Sequence, residues 1–352
     1  MKPKAGPTTL KEVARQAGVS VPAVSKVLTG KGDSIRVSEQ KAKLIREVAE
    51  RLKYTPNALA RSLRLSRSNT VGLVFEHFGD IAAGPLYYVH LLDGIASELF
   101  KYHYRITILP EISHEHVVDT LQDGRLDGVI WCKMPEDALL HRELSERSLP
   151  LIVLNAPPYE GSPLPFFVSC DNEGGMRLAI EHLVGLGHRR ILFAMEEGET
   201  DTPDAQARLR GMQNSMREGG LIFGDTDVVE WRLDAEAMAA WLETRPPHTA
   251  IVAWNEGLGG AIIAKARELG VRIPEDLSVV GFDSTQYCES TLPKLTAVRQ
   301  PIKEMARAAA RYLIDLIEGK TPDRQSLLFA CSLDVRESTA FVSPGVGLNQ
   351  LT

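Results

Sequence analysis

Three polar side chains stand where an apolar, β-branched run ends or a helical pattern begins. Asp283 follows Val279 to Phe282 in VVGFDS, Asn255 follows AIVAW, and Arg208 lies in ARLRGM, which opens a helix. A carboxylate, an amide and a guanidinium so placed can hydrogen-bond bidentately to neighbouring hydroxyls, the chemistry of a sugar-like ligand. Arg210 is an alternative to Arg208, although the spacing to Gly211 favours Arg208; Asp283 could instead cap a helix or loop. Trp131, Glu136, Asn155 and Glu256 are further candidates, and Trp254 belongs either to this group or to a buried sheet.

Signs of catalysis are missing or poorly placed. No GxxxxGK[ST] occurs and no GxGxxG follows a strand; GLGG at 257–260 reads as helix packing. His114 and His116, two apart in a polar turn, read as surface, and no Ser, His and Asp set carries a nucleophile elbow. Cys132, Cys170, Cys288 and Cys331 form no CxxC pair and suit a reduced cytosol. An enzyme is not expected, nor a cofactor or metal.

The net charge of −6 argues against a nucleic-acid partner until the 352 residues are divided. Residues 1–70 hold 15 Lys and Arg against 5 Asp and Glu, a net +10; residues 71–352 hold 25 against 41, a net −16. A basic head on an acidic body concentrates phosphate neutralisation in one small module. The opening MKPKAGPTT has no apolar core of a signal peptide, and no run of 18 apolar residues occurs. A cytoplasmic protein with no membrane partner is expected.

The elements that must carry these residues are legible in order. Thr9 and Glu12 form a capping box, so a helix starts at Leu10 and turns Val13, Ala14 and Ala17 inward. Gly18 supplies the positive φ of a sharp turn. Ser20 caps a second helix with Pro22 in its first turn and Val24, Val27 and Leu28 facing inward. Ser38 caps a third, Glu39 to Leu52. A helix-turn-helix of this kind sets the start of its second helix in the DNA major groove. From Thr70 the pattern changes. Strands read at 71–75, 105–109, 128–131, 151–154, 191–194, 228–231, 250–253 and 278–282, with helices between them, notably 88–100, 173–186, 205–218, 256–269 and 302–318. So many apolar strands alternating with helices imply two doubly wound parallel-sheet subdomains with a cleft at the carboxyl ends of their strands.

The spacing AxxAGVSxxxVSxVL in residues 14–28, the YxPNxxARSL segment from Tyr54 to Leu63 and the pattern downstream resemble the lactose-repressor (LacI/GalR) family of bacterial transcription regulators, from Thr9 to about Ala340. The resemblance implies a small all-α helix-turn-helix head and an α/β core like periplasmic binding proteins. Its domains would be the head at 1–55, a hinge helix and linker at 56–68, and an effector-binding core at 69–345. In that core lobe 1 would be about 70–169 with 299–329, and lobe 2 about 170–298 with 330–340.

By resemblance, Val21, Pro22 and Lys26 are the specificity positions of the recognition helix. Val21 and Pro22 offer only apolar contacts; Lys26 could donate to guanine O6 and N7 or to phosphate. Thr9, Ser20 and Ser25 are DNA-contact candidates, and the loop 29–37 could reach phosphate through Lys31 or Arg36. Pro56 to Leu65, too short to be a stable isolated helix, would order only when paired with its twin on DNA, Leu63 wedging into the minor groove beside Asn57, Ala60 and Arg61. Arg208, Asn255 and Asp283 are the implied effector contacts. Tyr87 and Tyr88 either stack on the ligand or belong to the core.

Two recognition helices and two wedges imply a homodimer on a palindromic operator. Leu91, Leu92 and Ile95, with the helix after Pro301, are either dimer surface or core. The tail after Phe341 lacks the leucine heptads of a tetramer. The expected function is a ligand-responsive repressor with a sugar or sugar-acid effector. A purine or nucleoside effector, a protein partner, and a solute-binding transport receptor are the alternatives.

Overall fold

Capping at Thr9, Ser20 and Ser38 and the turn at Gly18 predict three short helices, and a computed structural model contains them. It describes residues 8–29, 36–55, 67–75, 86–109, 121, 123–133, 137–146, 148–158, 164, 166–232, 236–244, 247–320 and 325–342. The hinge positions Asn57, Ala60, Arg61 and Leu63, the loop residue Lys31, and Glu136, His114 and His116 lie outside the described residues. The chain divides into two units, 1–68 and 69–352. No described helix is long and apolar enough to cross a membrane.

In the first unit, α1 is Leu10–Ala17, α2 Val21–Thr29 and α3 Glu39–Arg51. Thr9 Oγ1 accepts from the Glu12 amide at 3.3 Å, Ser20 Oγ from Ala23 at 3.4 Å and Ser38 Oγ from Lys41 at 3.4 Å. The capping box at Thr9 is half formed among the described residues, because the Glu12 carboxylate is engaged by Arg15 and Gln16 instead. Gly18 sits at φ 61, the left-handed conformation the turn demands. Val13, Ala14, Ala17, Val24, Ile45, Val48 and Ala49 close the mini-core.

The second unit holds two six-stranded sheets. The first is built from β1 (Thr70–Phe75), β2 (Arg105–Leu109), β3 (Gly128–Cys132), β4 (Leu151–Leu154), β5 (Phe167–Cys170) and a late strand, β11 (Ser326–Phe329). Its order is β11-β5-β4-β3-β1-β2, parallel throughout. Helices α4 (Leu86–Leu99) and α5 (Ala138–Ser145) lie between its strands in the chain. The second contains β6 (Ile191–Glu196), β7 (Val228–Trp231), β8 (Ala250–Ala253), β9 (Ser278–Asp283), β10 (Thr296–Arg299) and β12 (Ser332–Asp334), in the order β12-β10-β9-β8-β6-β7. Among the described strands only β12 runs antiparallel. Its helices are α6 (Asn172–Gly185), α7 (Pro203–Glu218), α8 (Glu236–Thr244) and α9 (Glu256–Glu268).

The central strands are buried along their whole length and mostly apolar, as strands covered on both faces must be. The chain leaves the first sheet after Cys170, returns after Arg299 through α10 (Ile302–Ile317), and crosses again between Phe329 and Ser332. Helix α10 packs on α4. Gly94 allows the approach: a Cβ there would lie 2.5 Å from Ala306 Cβ and 2.8 Å from the Lys303 carbonyl oxygen. Leu91 and Ile95 are buried in the core, the second of the alternatives open to them, whereas Leu92 is half-buried and packs against that core.

Candidate functional site

Each sheet repeats one strand order, β2-β1-β3-β4-β5 and β7-β6-β8-β9-β10, which reverses direction between β1 and β3 and between β6 and β8. Ligands of doubly wound sheets bind outside the carboxyl ends of the strands at such reversals. There the second unit has a cleft of about 660 Å³, including the part open to solvent. Tyr87, Tyr88, Lys133 and Asn155 line it from the first lobe; Arg208, Asn255 and Asp283 line it from the second. All five residues expected from the sequence therefore meet in one cavity, and Trp254 joins them. Of the further candidates, Asn155 lines the cleft, while Trp131 is core and Glu256 lies outside the lining.

Each of these residues also has partners within the protein. Arg208 lies in the second turn of α7 rather than opening it, and it is 1 % exposed. Its Nε donates to Asn172 Oδ1 at 3.0 Å and Nη1 to the Trp254 carbonyl, while Nη2 lies 3.6 Å from both Asp204 Oδ2 and Asp283 Oδ1. The guanidinium also stacks on Phe282, 3.8 Å from the ring centre. It holds the two carboxylates in place. Asn255 caps α9, its Oδ1 accepting from the Leu258 amide at 2.7 Å and its Nδ2 donating to Glu196 at 3.2 Å. Tyr87 is buried and meets Tyr88 edge to face, with ring centres 5.3 Å apart.

Lys133, Glu196, Glu199, Asp204 and Gln300 also line the cleft and were not among the residues expected. Lys133 and Glu196 carried the signal that singled out Asp283, a polar residue closing an apolar strand. Lys133 reaches across to the second lobe, its Nζ 3.5 Å from Glu199 Oε2 and 3.4 Å from Asp204 Oδ2. The same ammonium sits over the Trp254 ring. Burial disfavours the charged lysine, but Asp204, Tyr88 and Glu199 outweigh it and raise its pKa. Burial alone would raise the Asp204 carboxyl; Lys133 and Arg208 prevail and hold it below 3.8. Asp283 is raised, burial outweighing Arg208 and Gln300, and burial raises Glu196 too.

Lys133, Asn155 and Asp283 adopt φ values of 54°, 58° and 88°, a conformation that side-chain-bearing residues rarely take. Such strain persists only where surroundings impose it, and it gathers at ligand clamps. At Asp283 the surroundings are visible. Gln300 Nε2 donates to Oδ1 at 2.5 Å, Ser284 Oγ donates to Asp334 at 2.6 Å, and the Thr285 amide donates to Glu256 at 2.7 Å. Gln300 also accepts from the Cys170 thiol at 3.2 Å, tying the carboxylate to two of the crossings between lobes.

In the first unit, Thr9, Ser20 and Pro22 are exposed at the helix starts and Val21 is 37 % exposed; Lys26 is half-buried. The hydroxyls of Thr9 and Ser20 accept the capping amides and keep a proton to donate. Ser25 is 8 % exposed.

A model described as bacterial regulatory proteins, lacI family, matches residues 9–57, and one for a periplasmic binding protein-like domain matches residues 180–339. The HTH-type transcriptional regulator CelR of Thermobifida fusca is 31 % identical over 343 residues, covering 94 % of this chain and 98 % of that protein. The solved CelR–cellobiose complex is similar over 94 % of this chain and 99 % of its own, at 30 % identity and a TM-score of 0.70. The lac repressor dimer bound to operator and the anti-inducer ONPF shares the fold, with a TM-score of 0.80 over 95 % of this chain and 99 % of its own at 23 % identity.

Proposed function

This chain belongs to the lacI family of bacterial regulatory proteins, a family of DNA-binding transcription regulators, and from that premise we propose how its two units divide the work. The head binds a palindromic operator as a homodimer, in the cytoplasm where its DNA is. Val21, Pro22 and Lys26 meet base edges or phosphate, Thr9 and Ser20 meet phosphate, and Asn57, Ala60, Arg61 and Leu63 form the minor-groove hinge. The second unit binds a sugar effector between its lobes through Asp283, Asp204 and Asn155, with Tyr87, Tyr88 and Trp254 as apolar walls, and does not turn it over. Effector binding shifts the balance between DNA-bound and free states by linkage, and the protein acts as a repressor.

The observation that carries this reading is the cleft, where strained residues of both lobes converge on buried polar atoms at the ends of the strands. The CelR–cellobiose complex supports a carbohydrate as the effector class. The test combines selection of bound duplexes from a random library with a thermal-shift panel of sugars and purines. A palindromic consensus, whose binding weakens with Leu63→Ala, is expected. A sugar that raises the melting temperature and changes operator affinity is expected too. A chain that prefers no duplex, or an effector that still binds after Asp283→Ala, would overturn it.

A further inference from the structure

Three buried polar atoms, all on residues that line the cleft, have no hydrogen-bond partner among the described residues: the Tyr87 hydroxyl, Asn155 Oδ1 and Asp204 Oδ1. Their residues are 4 %, 0 % and 1 % exposed. The carboxylate oxygen and the amide oxygen only accept, while the phenol does either. The amide's orientation is fixed by its neighbour, since Asn155 Nδ2 donates to Asp204 Oδ2 at 3.5 Å and the reverse would oppose two acceptors. Buried acceptors without donors are costly, so a molecule that fits here must bring N–H or O–H groups.

Charge points the same way. Among the described residues that line the cleft, the carboxylates Glu196, Glu199, Asp204 and Asp283 meet two cations, Lys133 and Arg208. Both cations are already committed, Lys133 to Glu199 and Asp204, Arg208 to Asn172, the Trp254 carbonyl and its two aspartates. An ionised phosphate or carboxylate would add acceptors and negative charge where both are already in excess.

Resting on the reading of the cleft as a carbohydrate effector site, we propose that the effector is an uncharged sugar whose hydroxyls donate to Asp204, Asn155 and Tyr87. The cleft rejects sugar phosphates and sugar acids. This narrows the class expected from the sequence, which admitted sugar acids.

The test is calorimetric titration of the full-length protein with matched sets: glucose, glucose 6-phosphate and gluconate; ribose and ribose 5-phosphate; galactose and galacturonate; cellobiose and cellobionate; with adenosine as a non-sugar arm. At least one neutral sugar is expected to bind, its anionic counterpart at least tenfold more weakly. Asp204→Asn should narrow that ratio. Tyr87→Phe, which keeps the shape of the core, should weaken the neutral sugar several-fold. An anionic member that binds as tightly as its neutral counterpart overturns the inference and leaves the carbohydrate reading standing. A neutral sugar unaffected by both substitutions also overturns it. Adenosine binding with no sugar binding removes the carbohydrate reading and this inference with it.

Discussion

Asp204 stands between Lys133 and Arg208, and its behaviour with pH follows from them. Its carboxyl is held below 3.8 in the folded protein; burial opposes this, and the two cations prevail. A carboxyl that ionises more readily when folded contributes stability that is whole above its unfolded value, and the contribution is lost as pH falls through the folded value. Asp204→Asn should cost about 1–3 kcal/mol at pH 7, below the range for stranding a buried charge because each cation keeps a second carboxylate. Urea unfolding of the two proteins should show that gap shrinking as the medium is acidified from pH 7 towards pH 3; a constant gap would remove the ion pair from the explanation. Asp204 also marks a limit of one-dimensional reading. Asp283 ends an apolar strand and Asn255 follows one, so both were visible, and Lys133 and Glu196 bore the same mark. Nothing along the chain says that the first turn of α7 carries its carboxylate into a cleft shared with another lobe.

Helix pairs rather than single residues set the shape of the first lobe. Gly94 on α4 is a close-approach glycine, and even one methyl group there meets the Lys303 carbonyl oxygen at 2.8 Å, an atom of the α10 backbone that cannot rotate away. Gly94→Ala should therefore lower stability by about 1–3 kcal/mol through overpacking, although alanine favours a helix more than glycine does. The midpoint of urea unfolding reports it, and an unchanged or raised midpoint would mean that the helices part easily. Legibility followed length and pattern at this scale. The helices of 13 to 16 residues and the wholly apolar strands were readable to within two residues at most ends. Strands β5, β10, β11 and β12 were not separately readable. They are three or four residues long and each contains polar residues, too few positions for a period to emerge.

Charge separates the molecule into a head of +10 and a body of −16, a division invisible in the total of −6. Operator affinity should fall steeply with salt: a dimer neutralising on the order of six phosphates loses roughly a thousandfold between 50 and 200 mM. Fluorescence anisotropy over that range measures the slope; a flat response would remove phosphate neutralisation from the reading. Lys26→Ala separates its two roles, since loss of a phosphate contact by each protomer lowers the slope by about two and weakens all sequences alike, whereas loss of a base contact relaxes the preference at one position of each half-site. The crossings between sheets bear on something else, the order in which the chain is synthesised. Among the described residues, the head's core is drawn from residues 10–54 alone and can close once Tyr54 has been made. Strand β5 has no outer neighbour until Phe329 is made, and β10 none until Asp334. A ribosome that stops early thus releases a finished head on a body with two bare strand edges, the surface on which chains aggregate. Such a fragment exposes backbone that the finished body keeps paired.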